Sequence, residues 1–91
     1  MTSWTTLVSP EELAAAIDHC VVIDCRHDLM NPEVGPQAYA ADHIPGAYFL
    51  SQDTDLAGPK NGRNGRHPLP DREALAAKLR AEGLDNGKTL V

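Results

Sequence analysis

The sequence has few aromatic residues and no long apolar run. Aromatic side chains account for only 4% of its 91 residues, so a core must rest mainly on Leu, Ile, Val and Ala. Apolar residues make up 42% of the chain, which fits a globular protein rather than a disordered one. No apolar run approaches the roughly 20 residues of a membrane-spanning helix, and the first residues lack the pattern of a signal peptide. We therefore predict one small globular domain without a membrane segment.

Basic residues are outnumbered by acidic ones. Eight Lys and Arg stand against 13 Asp and Glu, for a formal net charge of -5. A general nucleic-acid-binding protein normally presents a basic face, and electrostatic docking on anionic membranes needs clustered cations. We predict neither nucleic acid nor a membrane as a partner.

Cysteine is also scarce, with only Cys20 and Cys25 in the chain. Side chains five residues apart on or beside a strand point to opposite faces, so a disulfide between them would need a sharp reversal. We expect two reduced thiols, as is typical of a cytoplasmic protein. Together with His19 and His27 they match no closed zinc spacing, so the sequence predicts no metal site and no cofactor.

Hydrophobic periodicity and turn residues predict an α/β order of elements. Ser9, Pro10 and Glu12 form a helix start with a capping box, and residues 20–24 form an apolar strand of the kind covered on both faces of a parallel sheet. The other predicted elements are a loop over 28–36, a short helix over 37–42, a strand over 47–50, an irregular loop over 51–70, a helix over 71–82 and the start of a third strand at 88–91. A strand, a helix and a strand in succession imply a parallel pair with a right-handed crossover.

One motif stands out, YAADHIPGAYFL over residues 39–50. Its spacing suits a helix that turns directly into a strand. Tyr39 anchors the short helix, Pro45 stops it, Gly46 permits a tight turn, and Ala47 lets the next strand start close to its neighbour. We expect His43 to hydrogen-bond across the turn.

These residues resemble the signature of the rhodanese-like family: an aromatic residue, His, an aliphatic residue, Pro-Gly-Ala and a second aliphatic residue. Asp24 and Arg26, which close the first strand, resemble the Asp-x-Arg ending of the family's first strand. The segment GRHPLP at 65–70, followed by a helix, resembles the two-domain branch of thiosulfate and 3-mercaptopyruvate sulfurtransferases. The resemblance implies a parallel sheet flanked by helices.

The resemblance also implies a chemistry. In this family a cysteine thiolate at the start of a loop between a strand and a helix takes a sulfane sulfur from an anionic donor and passes it, as a persulfide, to a thiophilic acceptor. In the two-domain branch that cysteine belongs to the second domain. We therefore expect residues 1–91 to be the first part of the non-catalytic N-terminal domain, incomplete because the chain ends early in a core strand. Its expected partners are the rest of that domain, a second rhodanese-like domain and the sulfur donor.

The resemblance assigns no residue of this chain to catalysis. Cys25 ends a different strand and reads as an incidental thiol. His43 has two readings, a residue that stabilises the turn and a residue of the cleft between two domains that assists proton transfer. Lys60, Arg63 and Arg66 also have two: attraction of an anionic donor, and a solvated loop or interdomain contact.

Two functions therefore remain open at this point. One is a fragment of an enzyme that transfers sulfur from thiosulfate or 3-mercaptopyruvate, and the other is a regulatory or binding module without transferase activity. A remoter third draws on the fold that rhodaneses share with dual-specificity cell-cycle phosphatases, but the sequence has no phosphatase loop.

Overall fold

A computed structural model describes residues 4–91. Its helices are α1, α2 and α3, with a 3-10 turn after α1, and its strands are β1 to β4. Their bounds are Pro10–Ala15 for α1, Ile17–His19 for the 3-10 turn, Cys20–Val21 for β1, Ile23–Asp24 for β2, Val34–Ala41 for α2, Tyr48–Phe49 for β3, Arg72–Ala81 for α3 and Thr89–Leu90 for β4. Over this part of the chain, no helix is long and apolar enough to cross a membrane.

The predicted strand over residues 20–24 is the centre of the sheet. It is present as two short pieces, since β1 pairs in parallel with β4 and β2 pairs in parallel with β3. Val22 lies between them and its carbonyl accepts from the Tyr48 amide at 2.9 Å. On the other edge, the Ile23 amide donates to the Val91 carbonyl at 2.7 Å. The apolar run therefore holds both parallel neighbours, and the predicted parallel α/β arrangement is confirmed.

Helix α1 begins as the sequence predicts. The Ser9 hydroxyl accepts from the Glu12 amide, and the Glu12 carboxylate accepts from the Ser9 amide, which completes the capping box. The helix buries Leu13 against Val22 and Ala47. Partly buried apolar side chains pack around this cluster: Trp4, Val8, Ile17, Cys20 and Val91.

Helix α2 begins three residues earlier than predicted. The expected loop over 28–36 ends at Glu33, and Pro36 lies in the first turn of the helix. A proline is tolerated there because amides of the first turn have no partner within the helix. Gly35 is the buried residue of this helix. At Gly35 the helix packs on the chain that follows β2, and a Cβ added to this residue would overlap the Arg26 carbonyl oxygen.

The motif after α2 makes the turn that its spacing predicts. Gly46 has φ +81°, a left-handed conformation that favours glycine. Ala47 is 5% exposed and belongs to the core cluster. The Tyr39 hydroxyl donates to the Ala47 carbonyl, and the Tyr39 ring stacks on His43 with centroids 3.7 Å apart. Nδ1 of His43 donates to the Tyr39 carbonyl at 2.6 Å, so the histidine closes the C-terminal turn of α2.

Helix α3 has a cap at each end. Asp71 accepts from the Ala74 amide at the start. At the end Gly83 has φ +95°, and the Leu84 amide donates back to the Leu79 carbonyl at 3.0 Å. This is the left-handed C-terminal turn that Gly83 and Leu84 predict.

An ion pair fixes the chain just after β2. The Asp24 carboxylate accepts from the backbone amide, Nε and Nη2 of Arg26 at 2.9–3.1 Å. Nη2 of Arg26 also donates to the Asp42 carbonyl, at the C-terminal end of α2. The guanidinium therefore ties β2 to α2, and its hydrogen bonds hold the pKa of Asp24 below its usual range.

We expect Gly35→Ala to destabilise the protein by about 1–3 kcal/mol, the usual cost of overpacking a well-packed site. The new methyl would meet a backbone oxygen and, at 3.2 Å, Cζ of Phe49. Urea unfolding measures the effect. Gly87→Ala is the matched control, because the nearest atom to its new methyl is a side-chain oxygen of Asp85 at 3.3 Å. Equal effects of the two changes would contradict this packing.

We expect Asp24→Asn to lower the free energy of unfolding at pH 7 and to change it far less at pH 3. A carboxyl group whose pKa is lowered by folding stabilises the protein above its unfolded pKa of about 3.9, and that stabilisation is lost as the pH falls through the folded pKa. Urea unfolding at the two pH values tests this.

The control for that experiment is Asp42→Asn. The Asp42 side chain is 93% exposed and lies 3.9 Å from the Arg26 guanidinium, so its loss should have little effect at either pH. A deficit in Asp24→Asn that is the same at pH 7 and pH 3 would show that the carboxylate charge is not what stabilises β2.

Candidate functional site

Three polar side chains meet beyond the carboxyl ends of β2 and β3 and form the candidate site. His27 follows β2 by three residues, and Asp53 follows β3 by four. Because the two strands are parallel neighbours, their carboxyl ends share one edge of the sheet, the edge where open α/β sheets usually bind ligands. His67 reaches the same place from the long loop. His27, Asp53 and His67 are hereafter the histidine–aspartate cluster.

The strongest contact in the cluster joins His67 to Asp53. Nε2 of His67 lies 2.8 Å from Oδ1 of Asp53, and the two side chains are 21% and 35% exposed. This hydrogen bond is the main reason that the pKa of Asp53 lies below its usual range, and the positive charge of Lys60 acts in the same direction. A carboxylate on one ring nitrogen orients a histidine for proton transfer.

His27 is the third member of the cluster. Its ring meets the His67 ring edge to face, with centroids 5.7 Å apart. Within the described residues, 4–91, its Nε2 atom is buried and has no hydrogen-bond partner. One ligand atom from each of His27, Asp53 and His67 lies within 4.8 Å of the others, so the three could hold a metal ion.

The loop that carries Asp53 is held by its own hydrogen bonds and by α3. The Ser51 hydroxyl accepts from the Asp53 amide, and the Ser51 amide donates to the Asp55 carboxylate at 2.7 Å. Nζ of Lys78, on α3, donates to the same Asp55 carboxylate at 2.8 Å. Near His67, the Gly58 amide donates to the Pro68 carbonyl at 2.9 Å. The irregular loop therefore has defined anchors beside both site residues.

Two of the three predicted anion-attracting residues lie beside this pair. A cavity of about 350 Å³ is lined by Asp53, His67, Lys60 and Arg66, with Leu29, Met30 and Pro32 on its apolar side. Arg63 does not line it. It is exposed, within a turn in which its own amide donates to the Asn61 side chain. The structure thus separates Lys60 and Arg66 from Arg63.

His43 lines a different cavity. That space, of about 580 Å³, is bounded by the ends of β2 and α2 and by the turn of the motif. Asp24, Arg26, Asp42 and His43 supply its polar side chains. Since Nδ1 of His43 is engaged with the Tyr39 carbonyl, the turn-stabilising role is the one that has a visible contact. Its role as a cleft residue stays a prediction.

Both cysteines are free. Cys20 lies in β1 and packs against the core cluster. Cys25 is exposed and also lines the cavity of His43. Partial desolvation of its thiol, followed by the charge of Asp24, raises the pKa of Cys25. A raised pKa disfavours the thiolate, the reactive form of cysteine.

The sequence pattern does not predict the histidine–aspartate cluster. His27 belongs to no metal-ligand spacing with its neighbours in sequence, and Asp53 and His67 are separated by 13 intervening residues. The available signal was position: Asp53 follows a strand parallel to the one that His27 follows. The fold of the loop that returns His67 to this edge has no simple sequence pattern.

Comparison with known proteins agrees with this architecture. A rhodanese-like domain model matches residues 9–91. A protein of Pseudomonas aeruginosa, provisionally named 3-mercaptopyruvate sulfurtransferase, is 42% identical over 88 residues, which are 93% of this chain and 31% of that protein. A Mycobacterium tuberculosis protein, provisionally named thiosulfate sulfurtransferase SseB, is 37% identical over 81 residues, 86% of this chain and 28% of that protein.

A solved structure of a sulfurtransferase also matches the fold of this chain. The 3-mercaptopyruvate sulfurtransferase from Leishmania major superposes with a TM-score of 0.82 at 26% identity, over 91% of this chain and 23% of that one. The chain thus spans less than a third of the length of the relatives that it matches. The family model covers nearly all of the sequence, and the parallel sheet and the HIPGA turn have the form that the resemblance implied. The chain belongs to the rhodanese-like family.

Proposed function

We propose that the protein that carries this chain is a sulfurtransferase, and that the chain contributes a site for an anionic sulfur donor. The observation that carries this proposal is the hydrogen-bonded pair of His67 and Asp53 in one cavity with Lys60 and Arg66. The two cations would attract the donor, and the histidine, oriented by Asp53, would move a proton. The names of the relatives, 3-mercaptopyruvate and thiosulfate sulfurtransferase, give the two donor classes to test.

The sulfur acceptor in this proposal is a cysteine thiolate outside residues 1–91. The thiolate attacks the transferable sulfur of the donor, which is the thiol sulfur of 3-mercaptopyruvate or the outer, sulfane sulfur of thiosulfate. A new S–S bond forms the persulfide, and the donor's C–S or S–S bond to that sulfur breaks, so that the bonding electrons leave with the rest of the donor. Cys20 and Cys25 are poor candidates for this role. One packs in the core, and the raised pKa of the other lowers its thiolate fraction at neutral pH.

The two donors differ in what the leaving group needs. When 3-mercaptopyruvate gives up its sulfur, the C–S bond breaks and the carbon fragment leaves as the enolate of pyruvate, which must take up one proton. When thiosulfate gives up its sulfur, the S–S bond breaks and sulfite leaves as a stable anion. A proton donor therefore matters more for 3-mercaptopyruvate. The pair of His67 and Asp53 is suited to that step.

The setting that we propose follows the two-domain branch of the family. The chain would be part of the N-terminal domain, and the persulfide cysteine would lie in a second rhodanese-like domain that faces the cavity of Lys60 and Arg66. Two free cysteines fit a reducing compartment, so we propose a cytoplasmic location.

We expect His67→Asn, in the complete protein, to lower kcat with 3-mercaptopyruvate about 100-fold, the lower end of what general acid–base catalysis contributes. The decrease with thiosulfate should be much smaller, because sulfite needs no proton to leave. Steady-state assays with both donors and cyanide as the acceptor measure the two effects. Asp53→Asn should follow the same pattern with a smaller decrease, since it removes only the group that orients His67.

The controls for this experiment are His43→Asn and Cys25→Ser. Both residues line the other cavity, and both variants should keep the activity of the wild type. Equal losses with the two donors in His67→Asn would exclude the proton-transfer role. If the wild type turns over neither donor, the regulatory or binding reading replaces the enzyme.

We expect Lys60→Gln combined with Arg66→Gln to raise KM for both donors, by about two- to tenfold, and to leave kcat nearly unchanged. Surface charges of this kind contribute at most about 1 kcal/mol each, and they attract substrate and transition state alike. Arg63→Gln removes one equal charge from the same loop outside the cavity and should leave KM unchanged. The single variant Arg66→Gln is the one-charge comparison, and a rise in KM with Arg63→Gln as large as that with Arg66→Gln would indicate a general electrostatic field rather than a site.

A further inference from the structure

We propose that His27, Asp53 and His67 form a binding site for one zinc-like divalent cation. The observation that points to a metal is the meeting of two imidazoles and one carboxylate, from three separate segments, with a ligand atom of each within 4.8 Å of the others. The proposal stands on these three side chains and does not depend on the sulfurtransferase reaction.

The chemistry of the three ligands selects the class of cation. Imidazole nitrogen suits zinc, copper, iron and nickel, whereas calcium and magnesium prefer oxygen ligands. Two histidines with one carboxylate, and a fourth position left for water or an anion, make a common arrangement for zinc at an accessible site. The partial exposure of His67 and Asp53 leaves such a fourth position reachable from solvent.

The unsatisfied nitrogen of His27 is the second observation. A buried polar atom without a partner is costly, and here, among the residues that the structure describes, Nε2 of His27 is such an atom. The other two ligands satisfy each other, because Nε2 of His67 and Oδ1 of Asp53 are 2.8 Å apart. In the proposed site the cation binds His27 through this Nε2 atom, which gives the nitrogen a partner and replaces the contact that His67 and Asp53 now share.

The distances permit this with a small movement. Two ligands of one tetrahedral zinc ion, each at about 2.0–2.2 Å from the metal, lie about 3.3–3.6 Å apart. No two of the ligand atoms are more than 4.8 Å apart, so the side chains must close by at most about 1.5 Å. Asp53 and His67 lie in the irregular loop, where side-chain rotation and a small backbone shift can provide it.

The positive charge of Lys60 and Arg66 lowers the affinity of the proposed site for a cation. Asp53 is the acidic member of the cluster, and Lys60 and Arg66 line the same cavity. A bound dication would therefore add to positive charge that is already present, and it would favour an anion in the fourth position. If the proposed sulfurtransferase reaction holds, the cation would also inhibit it, because a metal-bound His67 cannot move a proton.

The test is a titration of the metal-free complete protein with Co²⁺, a spectroscopic substitute for Zn²⁺. We expect one equivalent of Co²⁺ to give saturable visible d–d absorption. Added Zn²⁺ should displace the Co²⁺ and remove that absorption. His27→Gln should weaken Co²⁺ binding at least about tenfold, since even the loss of an outer-shell partner typically costs 10–100-fold. His43→Gln is the matched control and should bind as the wild type does. Circular dichroism checks that each variant is folded, and Asp53→Asn gives a second, independent loss of a ligand.

Three results would overturn the proposal. They are no saturable Co²⁺ signal from the wild type, equal affinity in wild type and His27→Gln, and a thiolate-to-cobalt charge-transfer band, which would assign the metal to cysteine. Activity separates this proposal from the previous one. Each variant is compared with its own metal-free rate of sulfur transfer: Zn²⁺ should inhibit the wild type and His43→Gln but not His27→Gln. Failure of the sulfurtransferase proposal would leave the cobalt titration unchanged.

Discussion

Backbone hydrogen bonding along residues 20–24 is the constraint on which the rest of the structure depends. In an extended strand, successive residues direct their amide and carbonyl groups to opposite edges. Val21 and Ile23 therefore bond Val91 on one edge, and Val22 and Asp24 bond the β3 segment at the end of the motif on the other. A short apolar run can thus hold two parallel neighbours, and the chain segments that follow β2 and β3 emerge at one place. The histidine–aspartate cluster exists because of this arrangement.

The same constraint explains why the HIPGA motif is structural here. Its glycine makes the turn, its alanine fits against Val22 and Leu13, and its histidine closes the end of α2. These contacts set where β3 starts, and hence where Asp53 emerges four residues after β3 ends. The motif therefore acts on the candidate site through the register of β3 with β2. None of its own side chains lines the cavity of Lys60 and Arg66.

The sequence predicted those parts of the structure that depend on neighbours along the chain. The capping box at Ser9, the turn at Gly46 and the C-terminal turn at Gly83 are local, and each is present. The predicted start of α2 is wrong because Pro36, a typical loop residue, lies in the first turn of the helix, where proline is accepted. The cluster could not be predicted, since it depends on how an irregular loop anchored by Ser51 and Lys78 returns His67 to the sheet.

The pair of His67 and Asp53 is better explained by chemistry than by stability. Both side chains are partly exposed, and an ion pair of this kind contributes at most about 1 kcal/mol to folding. The loop has other anchors as well, in the contacts of Ser51 and Lys78. What the pair provides is an oriented imidazole at the ligand-binding edge of a parallel sheet. One such imidazole can give a proton to a leaving group or hold a cation with His27, but it cannot do both at once. The proposed proton transfer and the proposed metal binding therefore compete for a single side chain, and His27 is a ligand only in the second.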